Sequence, residues 1–266
     1  MLTMSCNPVL LELFGPFSLH IYGIFISLAT LFLVAITINH ADRQRLMSIL
    51  QYERLVIAIT LGALGGARLL HVVSEWYSYH TIWQMFALWS GGLSILGALI
   101  GGFAAALAYL SYAHLPRLAI FDLAAHYLPF AQAIGRLGCL FAGCCFGCPS
   151  NSFFTVMYTH CDSHAPLYIA LHPTQLYSAA FFIAMGIFFY LIDCSQRLKP
   201  GQLCALYLML ASLERFLIDF LRADRIINTH DALIQTPHLS LHQWISIGIF
   251  FAGLIMFLSA MIQREK

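Results

Sequence analysis

The sequence predicts an all-α, polytopic membrane protein of about seven transmembrane helices, with the N-terminus outside and the C-terminus in the cytoplasm. Three observations predict it. The 266 residues are 60% hydrophobic and only 9% charged, with a mean hydropathy of +0.79, whereas a water-soluble chain carries about 25% charged residues to wet its surface. Apolar runs of spanning length recur along the chain. The Lys and Arg residues fall in alternate connections.

The runs cover 17–38, 54–73, 91–112, 118–134, 173–193, 202–221 and 241–262. Each approaches the roughly 20 residues a helix needs to cross the hydrocarbon, where backbone groups must bond to one another and helices or closed barrels alone suffice. Continuous apolar runs favour helices over the alternating strands of a barrel. No Lys or Arg precedes Leu19, so the basic flank of a cleaved signal peptide is missing and the first helix is expected to stay. No repeat and no second domain stands out: 1–266 reads as a single transmembrane domain with an outer loop at 135–172, rich in Cys, Ser, His and Pro.

Orientation follows the basic residues. Arg43, Arg45, Arg54, Arg117, Arg197, Lys199, Arg264 and Lys266 fall in one set of connections, while the opposite set holds Arg136, Arg222 and Arg225. The richer set is cytoplasmic by the positive-inside rule. The net charge of +1, without a basic tract, predicts no nucleic-acid partner.

Arg68 and Arg215 lie inside spans, and an arginine at a helix centre costs about 2.5–3.5 kcal/mol even on lenient scales. Arg215 sits about 21 Å along the sixth span from its cytoplasmic start, 14 residues at 1.5 Å each, with Asp219 and Arg222 at i+4 and i+7 on one face. With Arg68 and Arg136, four arginines fall at one expected depth in the outer half of the membrane. They read either as an internal ion-pair ladder with snorkelling ends or as a site for an anion. One carboxylate on that face, with Glu214 expected on another, is too little to balance them, which favours the anion. The planar guanidinium fork suits a phosphate, so the expected partner is an anionic phospholipid. No cofactor and no metal is expected.

Cys139, Cys144, Cys145 and Cys148 place four thiols within ten residues. A disulfide pair in an oxidising compartment, a zinc site weakly signalled by one Cys-x2-Cys spacing, a nucleophile activated by nearby arginines, and small residues packing a tight loop all remain open. Structural or disulfide roles are favoured. Cys194 and Cys204 are expected as free thiols facing the cytoplasm. Gly97, Gly101 and Gly102 read as close helix contacts.

Seven motifs in order now carry a resemblance: Leu19-His20-Ile21-Tyr22-Gly23; Gly65-Gly66-Ala67-Arg68; Trp89-Ser90-Gly91-Gly92-Leu93-Ser94; Gly135-Arg136-Leu137-Gly138; His172-Pro173-Thr174-Gln175-Leu176-Tyr177; Glu214-Arg215-Phe216 through Asp219 to Arg222; and Leu241 to Ser246 with Gln243. The sequence resembles the prolipoprotein diacylglyceryl transferases. That resemblance implies transfer of a diacylglyceryl group from phosphatidylglycerol to a cysteine thiol of a lipoprotein precursor, in the bacterial inner membrane. It departs from the family pattern at Leu96, where a histidine follows the Ser94-Ile95 step, at Cys139 for an asparagine, and at Cys144 for a glutamate. Ala211 replaces a tyrosine and Ser178 a glutamate.

The resemblance implies catalytic roles for Arg136, Arg215, Asp219, Tyr22, His20 and His172, with His20, His172 and Asp219 as candidate bases. It implies substrate contacts from Arg136, Arg68, Arg222, Gln175, Tyr177, Ser94, Gly138 and Cys139. Each histidine also has an ordinary reading: His172 as a residue capping a turn before a proline, and His20 as an interfacial residue beside Tyr22. His71 and His126 are weaker candidates. Two other functions stay open, a lipid transferase with another acceptor and a non-catalytic lipid-binding or assembly protein.

Overall fold

The computed structural model describes residues 1–5, 7–12, 18–79, 81–87, 91–193, 198–223 and 239–262. Trp89 and Ser90 of the third motif, Cys194, Arg197, Arg225, Arg264 and Lys266 lie outside the described residues. The chain is mostly helical. In order come β1 (Leu2–Met4), β2 (Val9–Glu12), β3 (Ser18–His20), α1 (Ile21–Ile38), α2 (Ala41–Leu46), α3 (Ile49–Ser74), α4 (Ile82–Phe86), α5 (Ile95–Tyr112) and α6 (Arg117–Ala142). They are followed by β4 (Val156–Tyr158), β5 (Ala170–Leu171), α7 (Thr174–Asp193), α8 (Gln202–Ile218), a 3-10 turn at Asp219–Leu221, and α9 (Leu241–Ile262).

Among the described residues, five helices are long and apolar enough to cross a membrane: α1, α3, α5, α7 as far as Ile192, and α9. They leave leucines and isoleucines such as Leu31, Leu69, Leu99, Leu191 and Ile255 exposed, an arrangement suited to lipid as the solvent. The helix α6 is 26 residues long but carries Asp122 and Arg136, and α8 is 17 residues long. The chain is therefore a multi-pass helical membrane protein.

The described residues fall into two compact units. One, within 37–120, is held chiefly by α3 against α5. A Cβ on Gly62 would meet Ala105 Cβ at 2.5 Å and the Gly101 carbonyl at 2.7 Å, and Gly66 and Gly97 are as close. These glycines let two backbones touch, where dispersion rather than water exclusion drives association. Ser48 starts α3 with a capping box: its hydroxyl accepts from Gln51 N at 3.3 Å, and Gln51 Oε1 accepts from Ser48 N at 2.9 Å.

The other unit holds 1–12, 18–36 and 121–266. Its core packs Ala125 and Ala133 of α6, Phe182, Met185 and Phe189 of α7, and Leu203 of α8. A second core of Leu140, Phe146, Val156, Tyr158, Leu171 and Ala223 includes residues of a small sheet. There β1 runs parallel to β4 (Leu2 beside Val156) and β4 antiparallel to β5 (Val156 beside Leu171). A β2–β3 hairpin feeds α1. These short strands add to the expected all-helical fold.

Where α8 begins, Gly201 adopts φ 95°, a left-handed conformation open to glycine. Asp122 of α6 accepts from Gly201 N at 2.5 Å and Cys204 N at 2.7 Å, satisfying two of the backbone donors a helix start leaves open.

Candidate functional site

The helix α6 runs past its expected end at residue 134. Gly135-Arg136-Leu137-Gly138 is its penultimate turn rather than the start of the outer loop, and the connection begins after Ala142. Gly138 packs on α1: a Cβ there would sit 2.6 Å from Phe25 Cβ and 3.6 Å from the Tyr22 ring. This close approach brings Tyr22 beside the polar end of α6, within electrostatic reach of Arg136 and of Cys139, Cys144 and Cys145.

Arg136 is mostly buried, and its Nη2 lies 4.0 Å from Glu214 Oε2. Glu214 is 5% exposed and accepts a short hydrogen bond from Ser178 Oγ of α7. The expectation that Glu214 would stand apart from the arginines is corrected. It does lie off the Arg215–Asp219 face of α8, and the face it occupies is the one that meets Arg136 and α7. Burying both charges is expensive, and the Ser178 hydroxyl satisfies part of that cost. An alanine at 178 could not.

At the next residue, Arg215 Nη2 pairs with Asp219 Oδ1 at 3.4 Å, the i,i+4 contact expected from the spacing. The other carboxylate oxygen of Asp219 accepts from Ser240 Oγ at 2.6 Å, just before α9. Gln243 secures that start: Ser240 Oγ accepts from Gln243 N at 3.1 Å, and Gln243 Oε1 accepts from Ser240 N at 2.9 Å. Among the described residues, Arg215 Nη1 is buried and finds no hydrogen-bond acceptor. Arg136 and Arg222 lie close enough to repel Arg215. Among the described residues, Arg136 is paired with Glu214 and Arg215 with Asp219.

Arg68 has another occupation. It lies in the other unit, 6% exposed, with Nε donating to Met85 O (2.8 Å), Nη1 to Gly91 O (2.6 Å) and Gly92 O (2.9 Å), and Nη2 to Gln84 O (2.6 Å). The Tyr79 ring lies 5.5 Å below it. Its donors hold the segment leading to Gly91 and Gly92, both at positive φ. Within its own unit, then, the donors of Arg68 are taken by backbone carbonyls. Ser94 is also in that unit, where its hydroxyl accepts from Gly97 N at 3.4 Å and caps α5. Leu96 stands on the same helix, half exposed.

The cysteines follow α6 directly. Gly143 (φ 69°) and Cys145 (φ 58°) both take left-handed conformations, which for a non-glycine residue costs roughly 1–2 kcal/mol. The turn they make folds the chain back on α6, so that the sulfurs of Cys139, Cys144 and Cys145 all lie within 4.8 Å of one another. Side chains at the start of α7 fix the turn: Thr174 Oγ1 donates to Cys145 O at 2.6 Å and Gln175 Nε2 to Cys144 O at 2.7 Å. Gln175 is 1% exposed and also donates to Tyr158 OH at 3.3 Å.

All the described cysteines are free thiols. The Cys144 thiol donates to Cys139 O at 3.7 Å. The neighbouring thiols, with Arg222 and Arg136 nearby, push the Cys145 pKa down, and the same neighbours with burial push that of Cys144 up. Cys148 stands outside the trio and packs on the second core, its backbone N donating to Leu221 O at 2.8 Å. The four-thiol cluster expected from spacing is a three-thiol cluster.

Two expected residues form a pair of their own. His172 Nδ1 lies 3.3 Å from Tyr177 OH, one turn into α7, with Phe154 stacked on the tyrosine. His20, at the end of β3, is exposed.

Fold and site together define a multi-pass membrane protein with partly buried guanidiniums gathered beside a set of thiols. The sequence model of the family described as prolipoprotein diacylglyceryl transferase matches residues 8–259. Among relatives, the phosphatidylglycerol–prolipoprotein diacylglyceryl transferase 2 of Clostridium perfringens is 30% identical over 254 residues, covering 94% of this chain and 93% of that protein. The enzyme of Clostridium tetani is 31% identical over 251 residues (94% of this chain, 96% of that one), and that of Nostoc sp. 34% over 232 residues (84% and 81%). The chain belongs to the prolipoprotein diacylglyceryl transferase family, and is a transferase.

Proposed function

We propose that this chain transfers a diacylglyceryl group from phosphatidylglycerol to the cysteine thiol of a lipoprotein precursor, in the bacterial inner membrane. The observation that carries the reading is the buried Nη1 of Arg215, which finds no hydrogen-bond acceptor among the described residues, with Arg136 and Arg222 close by. A phosphate supplies that acceptor in charge-assisted form. The acyl chains of such a lipid stay in the bilayer, so the anion can be held at membrane depth.

In the reaction the acceptor sulfur attacks the glyceryl C3, the C3–O bond breaks, and glycerol phosphate departs with the bonding electrons. Arg136, Arg215 and Arg222 stabilise the growing negative charge on the departing phosphate, the interaction that lowers the barrier most in such displacements. Asp219, held by Arg215 and Ser240, positions the guanidinium rather than moving a proton. His172, oriented by Tyr177, takes the acceptor thiol's proton. Seven spans, with α6 and α8 added to the five most apolar helices, and an N-terminus outside put the ends of α6 and α8 on the outer side, where lipoprotein precursors arrive.

The test is an assay of the purified chain with labelled phosphatidylglycerol and a lipobox peptide. A thioether-linked diacylglyceryl peptide is expected, and no product beside an active control enzyme would reject this substrate pair. Leu96 and Cys144, at positions where the family pattern has His and Glu, favour one second reading, a related transferase with a different acceptor. Lipid analysis with and without the gene tests that reading.

A further inference from the structure

We propose that Cys139, Cys144 and Cys145 form a three-thiolate site for a thiophilic divalent cation of the zinc class, whose fourth position takes the acceptor cysteine's sulfur. The acceptor half of this inference rests on the proposed function. The metal half stands on geometry alone.

Each sulfur lies within 4.8 Å of the other two. A tetrahedral zinc site with bonds of about 2.3 Å sets its sulfurs roughly 3.8 Å apart, so closure asks only about 1 Å of side-chain rotation. Among the described residues no fourth Cys, His, Asp or Glu joins the trio. That is the pattern of a reactive site, three protein ligands and an open position, rather than of a closed structural one. A disulfide would leave one of three neighbouring thiols over. The turn that gathers them is held from behind by Thr174 and Gln175 through backbone carbonyls, which leaves the sulfurs clear of those bonds.

Charge also fits. Three thiolates around a dication carry one net negative charge, and Arg136 and Arg222 lie near enough to Cys145 to offset it. Those same arginines are proposed to hold the lipid phosphate, so a sulfur on the metal's open position starts beside the carbon it must reach.

In the step, the acceptor cysteine S–H binds the cation and loses its proton to His172. The metal-bound thiolate then supplies the electron pair that forms the S–C3 bond while the C3–O bond breaks and glycerol phosphate leaves. No oxidation occurs. The thioether product is a weaker ligand than a thiolate and departs, restoring the open position. This gives the chain a way to ionise a thiol with Leu96 and Cys144 where the family pattern has His and Glu.

The test uses the full-length chain, purified under reducing conditions without chelators. Elemental analysis should find roughly one zinc-class ion per chain, and cobalt substitution should give intense sulfur-to-metal charge-transfer bands with tetrahedral visible bands. C139S, C144S and C145S should each lose bound metal at least tenfold, while C148S should keep it. Adding a lipobox peptide should shift the cobalt bands, and a peptide with serine for cysteine should not. A metal-free chain with no cobalt spectrum, or a disulfide among the trio as purified, overturns the site. If metal-free chain forms thioether at the native rate, the metal role fails and the transferase reading stands. If metal binds but no thioether forms and the peptide leaves the bands unchanged, the acceptor reading fails and the metal site stands.

Discussion

Replacing Arg215 separates the two jobs its two arms perform. Nη2 balances Asp219 at 3.4 Å, in a pair whose acid is 3% exposed, whereas Nη1 is the arm assigned to the lipid phosphate. Arg215→Met leaves the Asp219 carboxylate buried with Ser240 Oγ as its side-chain donor among the described residues. Breaking a buried pair this way costs about 3–5 kcal/mol, here towards the lower end because Arg215 is partly exposed. Arg215→Met/Asp219→Asn removes the stranded charge, keeps an acceptor for Ser240, and should regain most of the stability. It should not regain the lipid. One lost charge-assisted hydrogen bond to phosphate is worth about 1.5–3 kcal/mol, roughly 10–150-fold in apparent affinity for phosphatidylglycerol. Thermal unfolding in nanodiscs reads the first quantity, and spin-labelled lipid binding reads the second. A double variant that binds phosphatidylglycerol like the native chain would refute the phosphate assignment, and an unaltered melting temperature in the single variant would refute the buried pair.

Four further outcomes follow from particular contacts. Glu214→Gln, which keeps the Ser178 contact but removes the charge facing Arg136, should lower both turnover and melting temperature, because it strands a mostly buried guanidinium, as read by product formation beside thermal unfolding. Asp122→Ala should cost about 1–2 kcal/mol by uncapping α8, seen in denaturant or thermal unfolding, with lipid affinity unchanged. Gly62→Leu, which drives a side chain into Ala105 and the Gly101 carbonyl, should destabilise its unit by about 1–3 kcal/mol or more, and hydrogen exchange should rise first in α3 and α5. Arg68→Lys should loosen the segment around Gly91 and Gly92, because one ammonium cannot serve four carbonyls in a fork; proteolysis near residues 84–92 reports it.

Five of the spans were legible because lipid demands long apolar runs, and the family motifs were legible as ordered short strings. What escaped had physical reasons. Gly135-Arg136-Leu137-Gly138 reads as a loop by its glycines and charge, yet in α6 the glycines serve packing, with Phe25 of α1 pressed on Gly138. The strands β1, β4 and β5 are two or three residues long, too short for alternation to register. Glu214 was set aside by helical geometry alone, because a wheel drawn on α8 says nothing of the arginine on α6 facing its other side. An acid beside an arginine within a span was the signal that could have found it. Arg68 and Arg215 look alike as intramembrane arginines, and only the carbonyls around Arg68 distinguish a structural guanidinium from one with a donor to spare. Cys148 shares the spacing of the thiol trio, but the turn at Gly143 and Cys145 directs the chain so that it joins the second core instead.

The most direct measurement is a crystal structure of the full chain grown in a lipidic mesophase doped with phosphatidylglycerol. The lipid phosphate is expected within hydrogen-bond distance of Arg215 Nη1 and of Arg136, with its acyl chains running into the bilayer. A phosphate bound elsewhere, with Arg215 Nη1 bonded to a protein oxygen, would contradict it.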